Sequence, residues 1–256
     1  MPIITLTTDF GTRDGYVGAV KGVMARVMGT QHWDYSRVID IAHDIPRGDI
    51  AHAAWVVATS TPEFPRGSIH VVVVDPGVGG ARQNVVVEAR DQLYVGPDNG
   101  AFSLLGETSA HVITKSALLA PRISSTFHGR DIFAYVAARL ASGYHPNDFG
   151  KATRLVGTLP WGPRQQGIGR VIHIDGFGNL ISDLPGPEAG GAVLFEARRI
   201  PVLRTYEDVP PGEILAYVGS AGTIEIAIRD GRADGLPGAE RGAKLLPDPD
   251  QTGPYR

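Results

Sequence analysis

The residues best suited to chemistry lie where an apolar run gives way to a glycine-rich turn. Val71 to Val74 form an unbroken β-branched run, which is typical of a strand buried on both faces. The run ends at the carboxylate of Asp75, and Pro76 ends the strand because it cannot donate to a sheet. Three glycines then lead to the guanidinium of Arg82. Because ligands of open α/β sheets bind outside the carboxyl ends of the strands, this pair predicts a functional site.

Other interpretations of this stretch imply different chemistry. Asp75 and Arg82 could form a structural pair that braces a turn, and the stretch alone leaves that interpretation open. A dinucleotide-binding loop does not fit, because Arg82 stands where the third glycine belongs and a strand follows instead of a helix. A Walker phosphate loop is excluded because the chain contains no Gly-Lys-Ser/Thr triplet. The glycines therefore indicate a close approach of the backbone to some other ligand.

Two more acids and one histidine are candidates for the same site. Asp9 and Asp44 come at or just after predicted strands, where each could cap a turn or face the same crevice as Asp75. His128 precedes a predicted helix, in a polar stretch where backbone N–H groups are free. A lone histidine is usually structural, but this one could accept a proton or polarise a ligand near neutral pH. The histidines show no His-x-His or His-Glu-x-x-His spacing, so the sequence predicts no metal site.

The second half of the chain contains two polar turns. Asp175-Gly-Phe177-Gly-Asn179 places an acid, an aromatic ring and an amide around two glycines, and Gly219-Ser220-Ala-Gly222 is followed by Glu225. Each stretch fits an ordinary tight turn between strands, and each also carries polar groups that could hold a ligand. The residues alone leave both interpretations open.

Strands and helices alternate in the first part of the chain. The predicted strands are Ile3–Thr8, Val38–Ala42, the run ending at Val74, Val85–Val87 and Leu93–Val95. Apolar residues at helical spacing predict helices around residues 17–28, 50–58 and 132–140, with Asp14 as a cap for the first. This alternation predicts a layered α/β domain with a mostly parallel sheet over residues 1–156.

Residues 157–167 are rich in proline and glycine, and we interpret them as a linker. The pattern of apolar residues changes after this segment. Short strands separated by turn residues follow, without a convincing amphipathic helix. They predict a small β domain, a barrel or a sandwich, over residues 168–235. Residues 236–256 have several prolines, mixed charges and few large apolar groups, so we expect a loose tail.

Composition excludes several classes of protein. The 256 residues carry a net charge of −3 with both signs interspersed, which does not indicate a nucleic-acid surface. The absence of cysteine excludes disulfides, thiolate metal sites and cysteine nucleophiles. The sequence shows no apolar run long enough to cross a membrane and no signal-peptide pattern. We therefore expect a cytoplasmic protein with no membrane or nucleic-acid partner.

Taken in order along the chain, these stretches resemble the S-adenosylmethionine (SAM) hydroxide adenosyltransferases, or SAM hydrolases, which are related to the SAM-dependent fluorinase and chlorinase. No single stretch is specific to this family, but the complete set in this order is. The matching pieces, between residue 5 and about residue 232, are Thr8–Asp14, His43–Pro46, Val74–Gly79, Pro97–Gly100, Thr126–Asp131, Asp175–Asn179 and Ser220–Gly222.

The resemblance implies an α/β domain followed by a β-barrel-like domain. It also implies a homotrimer, with each active site between the N-terminal domain of one subunit and the C-terminal domain of its neighbour. The implied reaction is SAM plus water giving adenosine and methionine, without a metal or other cofactor.

The resemblance also implies residue roles. Asp75, Arg82 and His128 match the residues that handle water, Asp9 the acid that holds the ribose diol, and Asn179 the amide that reads the adenine edge. Asp175 and Ser220 fall where the methionine head group is held. The expected substrate-binding set is completed by residues in or beside the matching pieces: Asp14, Phe127, Phe177 and Glu225.

Alternative functions are a SAM or adenosine sensor without turnover, a halide-dependent adenosyltransferase, and a metal-dependent hydrolase of another substrate. The halogenating branch of the family has an aromatic residue where Asp75 stands, which disfavours halogenation. Asp175 and Ala221 do not reproduce the fluorinase pattern, so the contacts to methionine are the least defined.

Overall fold

A seven-stranded sheet forms the first of two units in the computed structural model, which describes residues 2–33 and 37–248. The chain divides between Leu159 and Pro160, inside the segment 157–167 interpreted as a linker. The strands of the first unit are β1 (Ile3–Thr8), β2 (Arg37–Ala42), β3 (Ile69–Val73), β4 (Asn84–Ala89), β5 (Gln92–Pro97), β6 (Ser109–Val112) and β7 (Ala152–Thr153). Its helices are α1 (Tyr16–Trp33), α2 (Ile50–Ser60), α3 (Ala134–Ala141) and the single turn α4 (Pro146–Phe149).

The strand order is β2-β1-β3-β5-β4-β6-β7. β1 is parallel to both β2 and β3, and β3 is parallel to β5, whereas β4, β6 and β7 pair antiparallel. Because β1, β2 and β3 run in the same direction, the residues that follow them leave the sheet at one edge. These residues include Asp9, Asp44 and Asp75.

The sheet is buried on both faces, as the β-branched run in β3 predicts. Val71 and Val73 pack on the side of α1 and α3, and Val72 and Val74 pack on the side of α2. Asp49 caps α2, because its Oδ1 accepts a hydrogen bond from the N–H of His52 at 3.0 Å. The two layers hold β3 rigidly, so the position of the residue that follows it is well defined.

Two helix starts differ from the sequence prediction. In α1 the carbonyl of Gly15 accepts the hydrogen bond of Ala19, so Gly15 and not Asp14 stands at the cap. The same helix breaks at Gly29, where φ is 71°. Before α3 the chain makes a wide π turn over Gly129–Phe133, so helical structure begins directly after His128, earlier than the apolar spacing predicts.

The second unit is a closed barrel of seven strands in the order β10-β11-β12-β13-β9-β8-β14. The strands are β8 (Gly169–Ile174), β9 (Leu180–Pro185), β10 (Ala192–Phe195), β11 (Arg198–Leu203), β12 (Ile214–Val218), β13 (Thr223–Ile228) and β14 (Lys244–Pro247), with the helical turn α5 (Gly186–Ala189) after β9. Its interior is an apolar cluster that includes Val171, Phe195 and Ile226. The predicted fold class, an α/β domain followed by a β-barrel-like domain, is confirmed.

The prediction of a loose tail from residue 236 is wrong for β14. Lys244–Pro247 pairs with β10 on one side and with β8 on the other, and so closes the barrel. The segment shows only one fully buried apolar side chain, Leu245, beside an exposed Leu246, which is too little periodicity to predict a strand. Residues 249–256 of the expected tail lie outside the described residues. No helix among the described residues is long and apolar enough to cross a membrane.

Candidate active site

Asp75, Arg82 and His128 form one hydrogen-bonded group, called here the polar cluster, after the end of β3. Arg82 Nε lies 3.0 and 3.1 Å from the two carboxylate oxygens of Asp75, and Arg82 Nη2 also donates to Asp75 Oδ2. Arg82 Nη2 lies 2.9 Å from His128 Nδ1. The side chains of Asp75 and Arg82 are only 4% and 11% exposed. The structure therefore brings together the three residues that the sequence predicts to be catalytic.

The guanidinium of Arg82 is held from a third side by Asn84, whose Oδ1 accepts from Arg82 Nη1 at 2.7 Å. Asn84 is the first residue of β4, so the sheet fixes the orientation of the arginine. Sequence reasoning missed Asn84, which directly precedes the predicted strand Val85–Val87. A polar residue at a strand start beside a candidate arginine was the available signal.

The charge state of His128 follows from its surroundings. Burial lowers the pKa of His128, the charge of Arg82 lowers it further, and Asp75 and Asp131 act in the opposite direction. A guanidinium has only N–H donors, so Nδ1 of His128 must be the acceptor. The imidazole is therefore neutral, with its hydrogen on Nε2.

The glycine loop after Asp75 approaches the segment that carries His128. Gly79 has φ of 76°, and a Cβ at this position would lie 2.4 Å from the carbonyl oxygen of Ser125. On the next segment, a Cβ at Gly129 would lie 3.2 Å from the ring of Phe10 and 3.3 Å from Val73. The sequence predicts that this glycine loop approaches a ligand. The approach seen at Gly79 is to another backbone segment, and it brings His128 towards Asp75 and Arg82.

Asp9 lies at the same edge of the sheet, just after β1. Its Oδ2 accepts from the N–H of Gly48 at 2.8 Å, and its loop is tied to the end of β2 by His43. The imidazole Nδ1 of His43 lies 2.9 Å from Thr8 Oγ1, and the carbonyl of His43 accepts from Gly11 at 2.8 Å. Asp44 is exposed beside this loop, and Asp14 is also exposed.

An aromatic group flanks this part of the sheet edge. The rings of Phe10, Tyr16 and Phe127 meet edge to face, with centroids 5.4 to 6.0 Å apart. The guanidinium of Arg130 lies 4.8 Å from the centre of the Phe127 ring. Phe127, predicted to contact substrate, is therefore a partly buried member of this group.

In the second unit, the turn between β8 and β9 is organised by Asp175. Asp175 Oδ1 accepts from the backbone N–H groups of Phe177 and Asn179 at 2.9 and 2.8 Å, and Asp175 Oδ2 accepts from Asn179 Nδ2 at 2.9 Å. These contacts match the ordinary turn interpretation of the stretch. Phe177 projects from the turn and is 79% exposed. Ser220 is exposed in the turn between β12 and β13.

A chain of hydroxyl groups runs from this turn to Glu225 on β13. Asn179 Nδ2 donates to Tyr206 Oη at 3.1 Å, the two tyrosine oxygens of Tyr206 and Tyr217 are 2.5 Å apart, and Tyr217 donates to Glu225 Oε2 at 2.6 Å. Burial raises the pKa of Glu225, opposed by the hydrogen bond from Tyr217. Tyr206, Tyr217 and Glu225 are called here the hydroxyl relay. Sequence reasoning missed both tyrosines, because they lie in stretches without any recognisable motif.

A cleft of about 490 Å³ opens beside the turn and is lined by Phe177, Asn179, Tyr206, Ile228, Asp230, Gly231 and Arg232. Among residues 2–33 and 37–248, no group of three or more His, Asp or Glu side chains could hold a metal ion. The candidate site residues thus form two groups, the sheet-edge group in the first unit and the turn with its relay in the second.

Comparison with known families agrees with this division of the chain. A model of the SAM hydroxide adenosyltransferase N-terminal domain matches residues 4–150, and a model of the C-terminal domain of the same family matches residues 169–246. The fold and the sheet-edge site thus define a two-domain protein with an α/β domain and a β-barrel domain. The chain belongs to the SAM hydroxide adenosyltransferase family.

Individual relatives cover almost the whole chain. A protein of Salinispora arenicola named (R)-S-adenosyl-L-methionine hydrolase is 41% identical over 95% of this chain and 97% of its own length. A protein of Thermus thermophilus with the same name is 38% identical over 92% and 95%. A fluorinase of Actinopolyspora mzabensis is more distant, at 24% identity over 88% and 90%. A crystal structure of a conserved hypothetical protein from Thermus thermophilus superposes with a TM-score of 0.80, at 36% identity over 96% of this chain and 99% of that one.

Proposed function

We propose that this protein hydrolyses SAM by attack of water on the ribose C5′, giving adenosine and L-methionine. The observation that carries the proposal is the polar cluster, in which an acceptor, a cation and a neutral imidazole meet at the edge of the sheet. The relatives named (R)-S-adenosyl-L-methionine hydrolase support the substrate. Because these names specify the R configuration, we propose the R epimer as the preferred substrate.

The main task of the enzyme in this reaction is to position the attacking water. A new bond forms between the water oxygen and C5′ while the C5′–S bond breaks, and its electron pair returns to sulfur. The leaving group is neutral methionine, so no acid is needed to assist its departure. The enzyme must hold one water in line with the C–S bond, and such orientation supplies a large part of the rate enhancement. Charge is neutralised as the oxygen approaches the sulfonium, which a site of low dielectric favours.

The polar cluster supplies distinct groups for that water. Nε2–H of His128 can donate a hydrogen bond to the water oxygen, but Nδ1 cannot accept the proton because it is occupied by Arg82. Asp75 is the acceptor of the group, and a carboxylate has about four lone-pair positions, more than Arg82 uses. Asp75 therefore orients the water through one of its hydrogens and takes up the proton released in the reaction.

Arg82 holds that carboxylate in place. Its Nε and Nη2 both donate to Asp75, which fixes the direction in which the carboxylate oxygens face the water. The cluster thus works chiefly by holding the water, with proton release to Asp75 following the developing C–O bond. This division of work suits a substrate whose leaving group is already good.

We further propose the binding roles that the family resemblance implies. Asp9 keeps one carboxylate oxygen on Gly48 and offers the other to the ribose diol. Asn179 holds the adenine edge. Phe127 and Phe177 supply aromatic surface, and Asp14 completes the direct contacts. Glu225 is buried and bonded to Tyr217, so it belongs to the substrate-binding set through the hydroxyl relay. Asp175 and Ser220 hold the methionine head group, although the oxygens of Asp175 already accept three hydrogen bonds within its own turn.

We also propose a cytoplasmic homotrimer that works without a metal or other cofactor, with each site shared by two subunits. Such a ring uses a heterologous interface, in which one surface of a subunit meets a different surface of the next. Turnover that is unchanged by EDTA would support the absence of a metal.

The deciding experiment is incubation of each sulfonium epimer of SAM in ¹⁸O-labelled water, followed by mass spectrometry of both products. We expect the label in adenosine, unlabelled methionine, and faster turnover of the R epimer. Binding without product over hours would instead identify a sensor. Formation of 5′-chloro-5′-deoxyadenosine in chloride would identify a halide-dependent adenosyltransferase.

The variant that tests the role of Asp75 is Asp75→Asn, which keeps the volume of the side chain but removes its charge. We expect turnover to fall by about 10²- to 10⁴-fold, the usual contribution of a positioned acid–base group. Affinity for adenosine should stay the same, because the diol and base contacts lie elsewhere. An equal loss of binding and turnover would contradict the role given to Asp75.

A further inference from the structure

The hydroxyl relay links the candidate adenine-binding amide to a buried carboxylate. Its atoms are Tyr206 Oη, Tyr217 Oη and Glu225 Oε2, with separations of 2.5 and 2.6 Å, and its outer end meets Asn179 Nδ2 at 3.1 Å. The two tyrosine rings pack against each other with centroids 4.9 Å apart. The relay connects the turn before β9 with β12 and β13.

The direction of each hydrogen bond in this chain is fixed. Tyr217 has one hydrogen and donates it to Glu225, so the oxygen of Tyr217 must accept from Tyr206. Tyr206 has then used its only hydrogen and must accept from Asn179. Burial and the negative charge of Glu225 raise the pKa of Tyr217, which keeps its hydroxyl protonated.

The orientation of the Asn179 amide follows from the same logic. One of its two N–H groups points at Asp175 Oδ2 at 2.9 Å, and the other points at Tyr206. The carboxylate of Asp175 can only accept, and the hydroxyl of Tyr206 already donates its one hydrogen to Tyr217. The Asn179 atom that contacts both must therefore be the amide nitrogen. The oxygen Oδ1 is thus the group of Asn179 that remains to face a ligand in the cleft.

The inner end of the relay cannot move away easily. Glu225 is 8% exposed, and a Cβ at Gly219 would lie 1.9 Å from Glu225 Oε1. The backbone of Gly219 therefore packs directly on the carboxylate and confines it. Asn179 itself is 7% exposed, so the amide has little room to rotate while the relay is intact.

We propose that Tyr206 and Tyr217 are positioning residues that keep Asn179 Oδ1 turned to the nucleobase and so make the site select a 6-amino purine over a 6-oxo purine. The inference deepens the proposed function and rests on its assignment of adenine to Asn179. The exocyclic amino group of adenine is a donor that matches Oδ1. A 6-oxo purine such as hypoxanthine presents a carbonyl there, and two acceptors face each other.

The test compares the binding of adenosine and inosine by calorimetry, with the full-length protein and its Tyr206→Phe and Tyr217→Phe variants. Wild-type protein should bind adenosine at least about 10-fold more tightly than inosine, a modest value for one discriminating hydrogen bond. Each variant should reduce that ratio by about 5-fold or more, because the freed amide can rotate and offer its N–H groups to the carbonyl of inosine. Two independent variants keep the test decisive if one of them does not fold.

Tyr144→Phe is the matched control, since Tyr144 and Tyr206 are 38% and 37% exposed and Tyr144 lies in the other unit. It should leave the ratio unchanged. An unchanged ratio in both relay variants, or a wild-type protein that does not distinguish the two nucleosides, would overturn the inference. A merely structural role would lower the affinity for both nucleosides equally, which would also overturn it.

The outcome is separable from that of the proposed function. Nucleoside binding needs no turnover, so selective binding that depends on the relay would stand even if the protein released no methionine. Conversely, hydrolysis of SAM with a ratio insensitive to both tyrosines would support the proposed function and reject this inference. In the hydrolysing enzyme, the relay variants should raise KM for SAM by more than they lower kcat.

Discussion

Arg82 Nη2 lies 2.9 Å from His128 Nδ1, although the two residues are 46 positions apart in the sequence. Because arginine can only donate, this contact fixes the tautomer of the histidine and leaves Nε2–H as its free group. It also separates the roles in the polar cluster, where the histidine donates, the carboxylate accepts and the arginine holds both. Reaction geometry in the proposed function depends on this single guanidinium.

Substituting Arg82 by lysine should therefore be damaging despite the retained charge. A lysine ammonium has no planar fork and cannot contact Asp75, Asn84 and His128 with the same geometry. We expect kcat for SAM to fall by about 10²-fold, the cost of a misplaced catalytic group, with adenosine affinity preserved. Steady-state kinetics and calorimetry measure the two quantities. The control is Arg90→Lys, because Arg90 is exposed and lies at the opposite end of β4 from Arg82. Near-normal kcat in Arg82→Lys would contradict the central role of Arg82.

The charge state of His128 predicts how kcat/KM for SAM changes at acidic pH. Its pKa is lowered from the ordinary value of 6.5, so the imidazole is neutral at neutral pH and gains a proton only as the pH falls below that value. The protonated ring would put an N–H against Arg82, which costs both stability and activity. We expect kcat/KM for SAM to decline as pH falls below 6.5, the ordinary value for histidine. In His128→Gln the residual activity should lack this decline, and an unchanged profile would place the titration on another group.

Asp9 should be required for recognition of the ribose and not for the chemical step. In Asp9→Asn the affinity for adenosine should fall by about 10-fold or more, because a hydrogen-bonded charge is lost. Affinity for 2′,3′-dideoxyadenosine, which has no diol, should hardly change. Calorimetry with both nucleosides tests this directly. Equal losses for the two ligands would show that Asn at this position disturbs the loop, which is tied by Gly48 and His43, and does not remove a diol contact.

The homotrimer with shared sites that we propose predicts rescue between two inactive variants. Asp75→Asn and Asn179→Ala should each be nearly inactive alone, since one affects the first unit and the other the second. If trimers are unfolded and reassembled from equal amounts of both, random mixing in a three-membered ring should restore about a quarter of the wild-type sites. Light scattering gives the oligomeric state, and the mixed sample gives the activity. Absence of any recovery in a verified mixed trimer would mean that each site is built within one subunit.

Two glycine substitutions separate backbone strain from loss of close approach. Gly79 and Gly106 have φ of 76° and 84°, but only at Gly79 would a Cβ meet another segment, the carbonyl of Ser125. Gly106→Ala should lower the free energy of unfolding by about 1–2 kcal/mol, the cost of a left-handed backbone. Gly79→Ala should lower it by more, because its Cβ would also meet the carbonyl oxygen of Ser125. Gly79→Ala should in addition lower turnover strongly, because it pushes away the segment that carries His128. Chemical denaturation and kinetics measure the two effects, and equal turnover in both variants would contradict the role of the close approach.

Much of the first unit could be predicted from the sequence because its signals are strong. The buried run in β3, the acid after it and the helical spacing of α2 each follow from local periodicity. The grouping of Asp75 with Arg82 was also accessible, since a short loop joins them. His128 could be placed near them only by the ordered set of motifs, because no local signal connects residues so far apart in sequence.

The rest depended on contacts that local patterns do not encode. The two relay tyrosines gain their roles from partners in other elements of the barrel, so single-sequence patterns could not assign them. Asn84 lies only two residues from Arg82, so its role was accessible from the sequence. β6 and the edge strand β7 are short and contain polar residues, and β14 contains one buried leucine. Their pairing is determined by the neighbouring strands and not by their own periodicity.

The position of β14 in the barrel has a consequence for biosynthesis. This strand lies between β8 and β10 in space, yet all other barrel strands precede it in the chain. During synthesis the α/β unit is therefore complete long before the barrel can close. Until β14 is made, β8 and β10 each have an unpaired strand edge that can pair with another nascent chain. The barrel closes only when the four residues of β14 leave the ribosome and pair with both neighbouring strands. The chain is therefore most prone to misassembly just before that point.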